Sequence, residues 1–127
     1  MPEPKKIVVV DDDAELVAFV SDILKRAGYD VSCAYQGQEG LEVVKRDRPD
    51  LVLLDLAMPV MHGYQVCSAI RADEALRHVR IITLSGKSYA VDLKNAKTEG
   101  ADHTLVKPVS GPQLLDVVER VLSEPAR

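Results

Sequence analysis

Leu51-Val52-Leu53-Leu54-Asp55 runs directly into Leu56-Ala57-Met58-Pro59-Val60-Met61-His62-Gly63. Four consecutive branched apolar residues, introduced by Arg48-Pro49-Asp50 and ended by a loop with Pro59 and Gly63, predict a short strand buried on both faces, the pattern of a parallel sheet. Asp55 stands where that strand leaves the core. A carboxylate there loses hydration unless a cation, a hydrogen-bonding partner or a reaction compensates it. Taken alone, Asp55 reads first as an ordinary loop opener, since Asp is common after strands.

The rest of the chain repeats the arrangement. Ile7-Val8-Val9-Val10 is a second apolar run that ends in acid, at Asp11-Asp12-Asp13. Leu16, Val17, Val20, Ile23, Leu24 and Ala27 then follow at helical spacing, with Asp13 as N-cap and Gly28 as the stop. Tyr29 to Ala34 alternates and predicts a partly exposed strand near an edge. A helix is expected from about Gln38 to Arg46, with Leu41, Val43 and Val44 inward, and a short one carrying Tyr64, Val66, Cys67 and Ile70. Asp73 to His78 reads as a polar connection before a fourth strand, Val79 to Leu84, that ends in Ser85-Gly86. A weaker helix with a thin apolar face is expected over Tyr89 to Lys97, stopped by Gly100. His103 to Val106 is the fifth strand and ends in Lys107-Pro108. Ser110 and Gln113 form a capping-box pattern that opens a last helix with Leu114, Leu115, Val117, Val118, Val121 and Leu122. Five alternations of strand and helix predict a doubly wound α/β domain with a parallel sheet.

A chain of 127 residues fits one domain, 1–127 with a core of about 5–122, large enough to fold without staples or metal. A net charge of -4 argues against direct nucleic-acid binding. No apolar run approaches 18 residues and no signal peptide opens the chain, so a cytoplasmic location away from membranes is expected. Cys33 and Cys67 lack metal-ligand or redox spacing and read as packing residues. His62, His78 and His103 show no ligand spacing either, and Met58 and Met61 read as packing under the loop.

In doubly wound sheets ligands bind beyond the carboxyl ends of the strands, where strand order reverses. Four of the five expected strands end in a chemically pointed residue: Asp11 and Asp12 after the first, Asp55 after the third, Ser85 after the fourth, Lys107 after the fifth. With the first and third strands adjacent, the three carboxylates converge, and the coincidence overturns the bland reading of Asp55. Two carboxylates about 5 Å apart repel by about 3 kcal/mol at an effective dielectric near 20. Oxygen-only ligands with room for water and phosphate suit Mg²⁺. A hydroxyl at Ser85 and an ammonium at Lys107 supply what a phosphoryl group needs as its charge spreads in transfer. Asp55, between the acids and the Ser/Lys pair, is then the natural nucleophile.

Val9-Val10-Asp11-Asp12, Leu53-Leu54-Asp55-Leu56-Ala57-Met58-Pro59 with Gly63, Thr83-Leu84-Ser85-Gly86, Gly100-Ala101-Asp102 and Lys107-Pro108 together resemble the response-regulator receiver domain, the phosphoacceptor module of two-component signalling. The resemblance runs from Lys5 to about Leu122. It implies a flavodoxin-like three-layer sandwich around a five-stranded parallel sheet of order 2-1-3-4-5, an order taken from the family and not read from the residues. It implies that Asp55 accepts a phosphoryl group from a sensor histidine kinase or histidine phosphotransfer protein. Asp12, Asp55 and the backbone carbonyl of Ala57 are implied as direct ligands of Mg²⁺ (or Mn²⁺), with Asp11 holding a metal-bound water. Ser85 is implied as the hydroxyl that moves toward the phosphate and Lys107 as its ionic partner, with a cis Lys107-Pro108 bond. The chain would be a phosphorelay switch and not an enzyme, assisting only its own phosphorylation and dephosphorylation. Its partners would be the phosphodonor and a downstream protein target or output domain, and the family accommodates a homodimer through the fourth and fifth helices.

Two positions depart from the pattern. Thr104 stands where the family often has an aromatic residue, so an inward-swinging ring is not available, and His103 beside it points to the other face. Val109 replaces the usual Phe. Ala57 and Lys87 occupy positions that tune phosphate lifetime, and their net effect is not readable from the sequence. A phosphohydrolase with an aspartate nucleophile would need a general acid where Ala57 stands. A nucleotide-binding domain would need glycines where Asp11 and Asp12 stand. A receiver-like interaction module independent of phosphorylation remains the alternative, and Thr104 is its main support.

Overall fold

The computed structural model describes residues 3–56, 63–86 and 100–125. The helix expected over Tyr89 to Lys97 and the loop residues Met58, Pro59, Met61 and His62 lie outside them, as does the Tyr64 side chain. All five expected strands form: β1 (Lys6–Val10), β2 (Asp30–Ala34), β3 (Leu51–Asp55), β4 (Arg80–Ser85) and β5 (His103–Val106). They pair in parallel in the order β2-β1-β3-β4-β5, as the resemblance implied. Helices α1 (Ala14–Arg26), α2 (Gly37–Asp47), α3 (Gly63–Ala72) and α4 (Gly111–Ser123) cover the sheet.

The continuous apolar runs follow from coverage on both faces, because successive side chains on a strand point to opposite sides. Val8, Val10, Val52, Leu54 and Ile81 pack with Leu41 and Val44 of α2 and Val66, Cys67 and Ile70 of α3. Ile7, Val9, Leu51, Leu53, Ile82, Leu84 and Leu105 face the other way, against Val17, Val20 and Leu24 of α1 and Leu114, Val117, Val118 and Val121 of α4. The result is a three-layer sandwich. β2 lies at an edge and is only half-buried over Val31 to Cys33, which is why its sequence alternates. In α2, Leu41 and Val44 are buried as expected, whereas Val43 is only partly so.

Local signals place the helices. Asp13 Oδ1 accepts the amide protons of Glu15 and Leu16, at 3.1 and 3.2 Å, and starts α1. Ser110 Oγ accepts the Gln113 amide at 3.2 Å and starts α4. Two differences from the sequence expectation occur around β4. Asp73 to His78 is not simply a polar connection: Asp73 caps a 3-10 turn over Glu74–Leu76, which drives Leu76 into the core. The strand itself starts one residue late, at Arg80, because the Val79 amide is donated to Leu76 and closes that turn. Ser85 is thereby the last residue of β4, opposite Val106.

Two glycines set close approaches. A Cβ on Gly63 would lie 2.3 Å from the Asp55 carbonyl oxygen, so α3 starts against the end of β3 only because Gly63 has no side chain. Gly100 has φ +103 and lies under the Arg71 side chain. Arg71, near the end of α3, donates to the carbonyls of Gly100 (2.9 Å) and Val79 (2.6 Å) and pairs with the Asp102 carboxylate at 3.0 Å. The same Asp102 oxygen accepts the Ile81 amide at 2.8 Å, so one largely buried ion pair ties α3 to the starts of β4 and β5. Arg71→Met is expected to lower unfolding stability by about 3 kcal/mol, since it removes the charge partner of a largely buried carboxylate. Combining it with Asp102→Asn should recover part of that loss, as chemical denaturation of the single and double variants will measure.

Candidate functional site

The carboxyl ends of β1 and β3 lie side by side because the two strands pair in register from Ile7↔Leu51 to Val10↔Leu54. Asp11 follows β1 and keeps the ladder going by donating its amide to the Ala34 carbonyl at 3.1 Å, which leaves its side chain fully buried. Its Oδ1 accepts the Asp13 amide at 2.9 Å. Asp55 ends β3 and is 3% exposed. Asp12 is exposed at the mouth. One carboxylate oxygen from each of Asp11, Asp12 and Asp55 lies within 4.8 Å of the others, so the structure brings the three sequence-predicted acids together.

Lys107 reaches this cluster from the loop after β5, where the Lys107-Pro108 bond is cis. Its amide donates to the Ser85 carbonyl at 2.7 Å, which extends the β4–β5 ladder by one step. Its Nζ lies 3.0 Å from Asp11 Oδ2 and 3.4 Å from Asp55 Oδ1. The contact with Asp11 is an ion pair, and that buried oxygen has no other polar partner among the described residues. Ser85 is 2% exposed, and its Oγ has no hydrogen-bond partner among the described residues. Ala57 and Lys87, singled out from sequence, lie outside the described residues.

Burial pushes the Asp11 carboxyl up, from 3.8 to about 6, and the negative charge of Asp55 adds to the rise against the Asp13 amide and the Lys107 ammonium. For Lys107, burial works downward, but its contacts with Asp11 and Asp55 outweigh that and raise it. The Lys107 ammonium thus pairs with two of the three clustered carboxylates. Hard oxygen donors from separate strands, with a buried unsatisfied oxygen among them, fit a small divalent cation that keeps part of its water.

Some neighbours carry no obvious sequence signal. Phe19, the only phenylalanine of the chain, lies off the apolar stripe of α1 and is 47% exposed. With Asp13, Leu16, Lys107, Pro108 and Val109 it lines a groove of about 400 Å³ that opens beside the Lys107 end of the site. Thr104, the departure on β5, is bonded to Thr83 through their hydroxyls, with Oγ1 atoms 2.7 Å apart. Cys67 is buried in the core and Cys33 is partly buried, consistent with packing roles. None of the described helices is long and apolar enough to cross a membrane.

The sign of the pH dependence follows from Asp11. A carboxyl whose value is higher in the folded than in the unfolded chain contributes stability that is complete below about 3.8 and is lost as pH rises through about 6. In a chelator, Asp11→Asn should therefore raise stability at pH 7 by on the order of 2 kcal/mol. The gain should shrink toward pH 4, and urea unfolding of both proteins across pH 4 to 7.5 will read it. An equal difference at both ends would mean that Asp11 is not the titrating group.

The sequence pattern of the family described as Response regulator receiver domain matches residues 7–119. The DNA-binding response regulator MtrA of Mycolicibacterium paratuberculosis is 39% identical over 111 residues, which are 87% of this chain and 48% of that protein. The chain thus spans about half the length of the curated relatives it matches. Among solved structures, the chemotaxis response regulator CheY4 of Vibrio cholerae superposes with a TM-score of 0.88 at 32% identity, covering 93% of this chain and 98% of that one. A CheY-like response regulator receiver domain protein from Methanospirillum hungatei gives 0.87 at 28% identity, covering 94% of each chain. With the sheet order, the acid cluster and these matches in agreement, the chain belongs to the response regulator receiver domains of two-component systems.

Proposed function

We propose that this receiver is a phosphorylation-controlled switch in which Asp55 takes the phosphoryl group of a phosphohistidine on a sensor kinase or phosphotransfer protein. The observation that carries the reading is the buried Asp55 carboxylate held between Lys107, at 3.4 Å, and the acids Asp11 and Asp12. An Asp55 oxygen forms a bond to phosphorus as the P–N bond to the donor imidazole breaks and its electron pair leaves with that nitrogen. The product is an acyl phosphate. Asp12 and Asp55, with the Ala57 carbonyl and with Asp11 through a water, would hold Mg²⁺ (or Mn²⁺), which would supply the positive charge a dianionic phosphoryl group needs beside three carboxylates.

The chain's own groups do the remaining work. Lys107 places a fixed ammonium where charge builds on the transferring oxygens. The Ser85 hydroxyl, which has no hydrogen-bond partner among the described residues, can donate a hydrogen bond to the new phosphate, and this attraction biases β4 and β5 toward a second arrangement that a downstream protein or output domain recognises. The donor protein needs apolar area close to Asp55 to dock its histidine. The groove of Leu16, Phe19, Pro108 and Val109 beside Lys107 offers it.

The region of about 5–122 acts as one receiver unit in the cytoplasm, contacts no nucleic acid itself, and is not an enzyme toward external substrates. Incubation with acetyl phosphate should add one phosphoryl mass in a Mg²⁺-dependent way, and Asp55→Asn should abolish the addition. Lys107→Ala should still be labelled yet no longer change partner binding on phosphorylation. Intact mass with and without Mg²⁺ checks the first pair. No addition under any condition would favour a phosphorylation-independent interaction module.

A further inference from the structure

β4 and β5 carry both groups that face the phosphoryl position from that side, Ser85 at the end of one strand and Lys107 just beyond the other. The two are linked directly by the Lys107 amide and the Ser85 carbonyl, at 2.7 Å. Two residues before Ser85, on the same face of the strand, is Thr83, which is completely buried. Its register partner on β5 is Thr104, and the two hydroxyls meet at 2.7 Å.

Thr83 is buried and Thr104 only partly so. Each hydroxyl has one proton, and without the Thr104 hydroxyl the buried Thr83 hydroxyl keeps only the long contact to the His103 carbonyl, at 3.5 Å, among the described residues. The pair therefore resists sliding or splaying of β4 against β5, one step below the residues that act. Beyond the backbone bond from Lys107 to Ser85, the last step of the ladder pairs Ser85 with the exposed, apolar Val106, so the Thr83–Thr104 bond is the side-chain link between the strands nearest to it among the described residues.

We propose that the Thr83–Thr104 hydroxyl pair is a positioning element that fixes the spacing of Ser85 and Lys107, so that both shift together when Asp55 is phosphorylated. Thr104 then acts through the pair bond and not by moving into a pocket. This inference rests on the reading of Asp55 as phosphoacceptor and adds the residues that set the geometry around it.

Thr83→Val and Thr104→Val keep shape and remove one hydroxyl each, and Thr104→Ser keeps the hydroxyl. The measurements are the rates of labelling by acetyl phosphate and of phosphate loss from Asp55, together with hydrogen exchange of the Lys107 amide in the unphosphorylated protein. Each valine variant should change the phosphate-loss rate by about three- to tenfold and speed Lys107 exchange. The double variant should be no worse than either single one, and Thr104→Ser should return toward wild type. Thermal unfolding run alongside separates a general loss of stability, which would not spare the serine variant's partner bond selectively. Labelled wild type with valine variants unchanged, or with effects that add, overturns the inference alone. Wild type that takes no phosphoryl group overturns the reading of Asp55 and this inference with it.

Discussion

Asp11 and Asp55 are buried side by side at the end of a sheet, with Asp12 beside them at the surface, and among the described residues the Lys107 ammonium pairs with the two buried acids. Much of the surrounding structure is arranged around that imbalance. β1 and β3 must be neighbours for the acids to meet, which fixes the point where strand order reverses. Lys107 leaves β5, and Asp11 follows β1, three strand spacings or about 14 Å across a flat sheet. With the Lys107 backbone still paired to Ser85, the contact at 3.0 Å thus depends on the long lysine side chain reaching across the ends of β4 and β3. The rise of Asp11 to about 6 expresses the same tension, because burial removes the water that would otherwise stabilise its charge. Such a pocket is poised to favour whatever brings positive charge.

The fold was legible where burial on both faces wrote itself into composition. β1, β3 and β4 are unbroken apolar runs because helices cover both sides, and each run stops at a polar residue where the strand leaves the core. The acids, Ser85 and Lys107 could be found for that reason. Strand order could not be read from the residues, since any order of five buried parallel strands gives the same runs, and it came from the family resemblance. Arg71 left no trace: an arginine near a helix end normally reads as solvated, and its partner Asp102 is 31 positions away. Leu76 was hidden for the opposite reason, as one apolar residue in a polar stretch gives no periodicity. The Thr83–Thr104 bond was equally silent, because threonine is ordinary in strands and only the register places the two hydroxyls together.

The distribution of rigid contacts bears on how a change at Asp55 spreads. The starts of β4 and β5 are held by Asp102, which exchanges bonds with Ile81 through its amide and carboxylate, and by Arg71, which anchors that carboxylate to α3. Arg80 adds to this end by donating to the carbonyls of Glu124 and Pro125 beyond α4. The opposite ends of the same strands carry Ser85, with an unpartnered hydroxyl among the described residues, and Lys107, which is partly exposed. Side-chain anchors are therefore concentrated at the amino ends, while at the carboxyl ends the backbone ladder continues through the Leu56 amide to the Leu84 carbonyl and the Lys107 amide to the Ser85 carbonyl. Under the proposed reading, a pull on Ser85 and Lys107 would be shared between the two strands through that ladder and through the hydroxyl bond midway. A receiver without an aromatic residue at position 104 thus still has a mechanical connection from its site to the edge of its sheet.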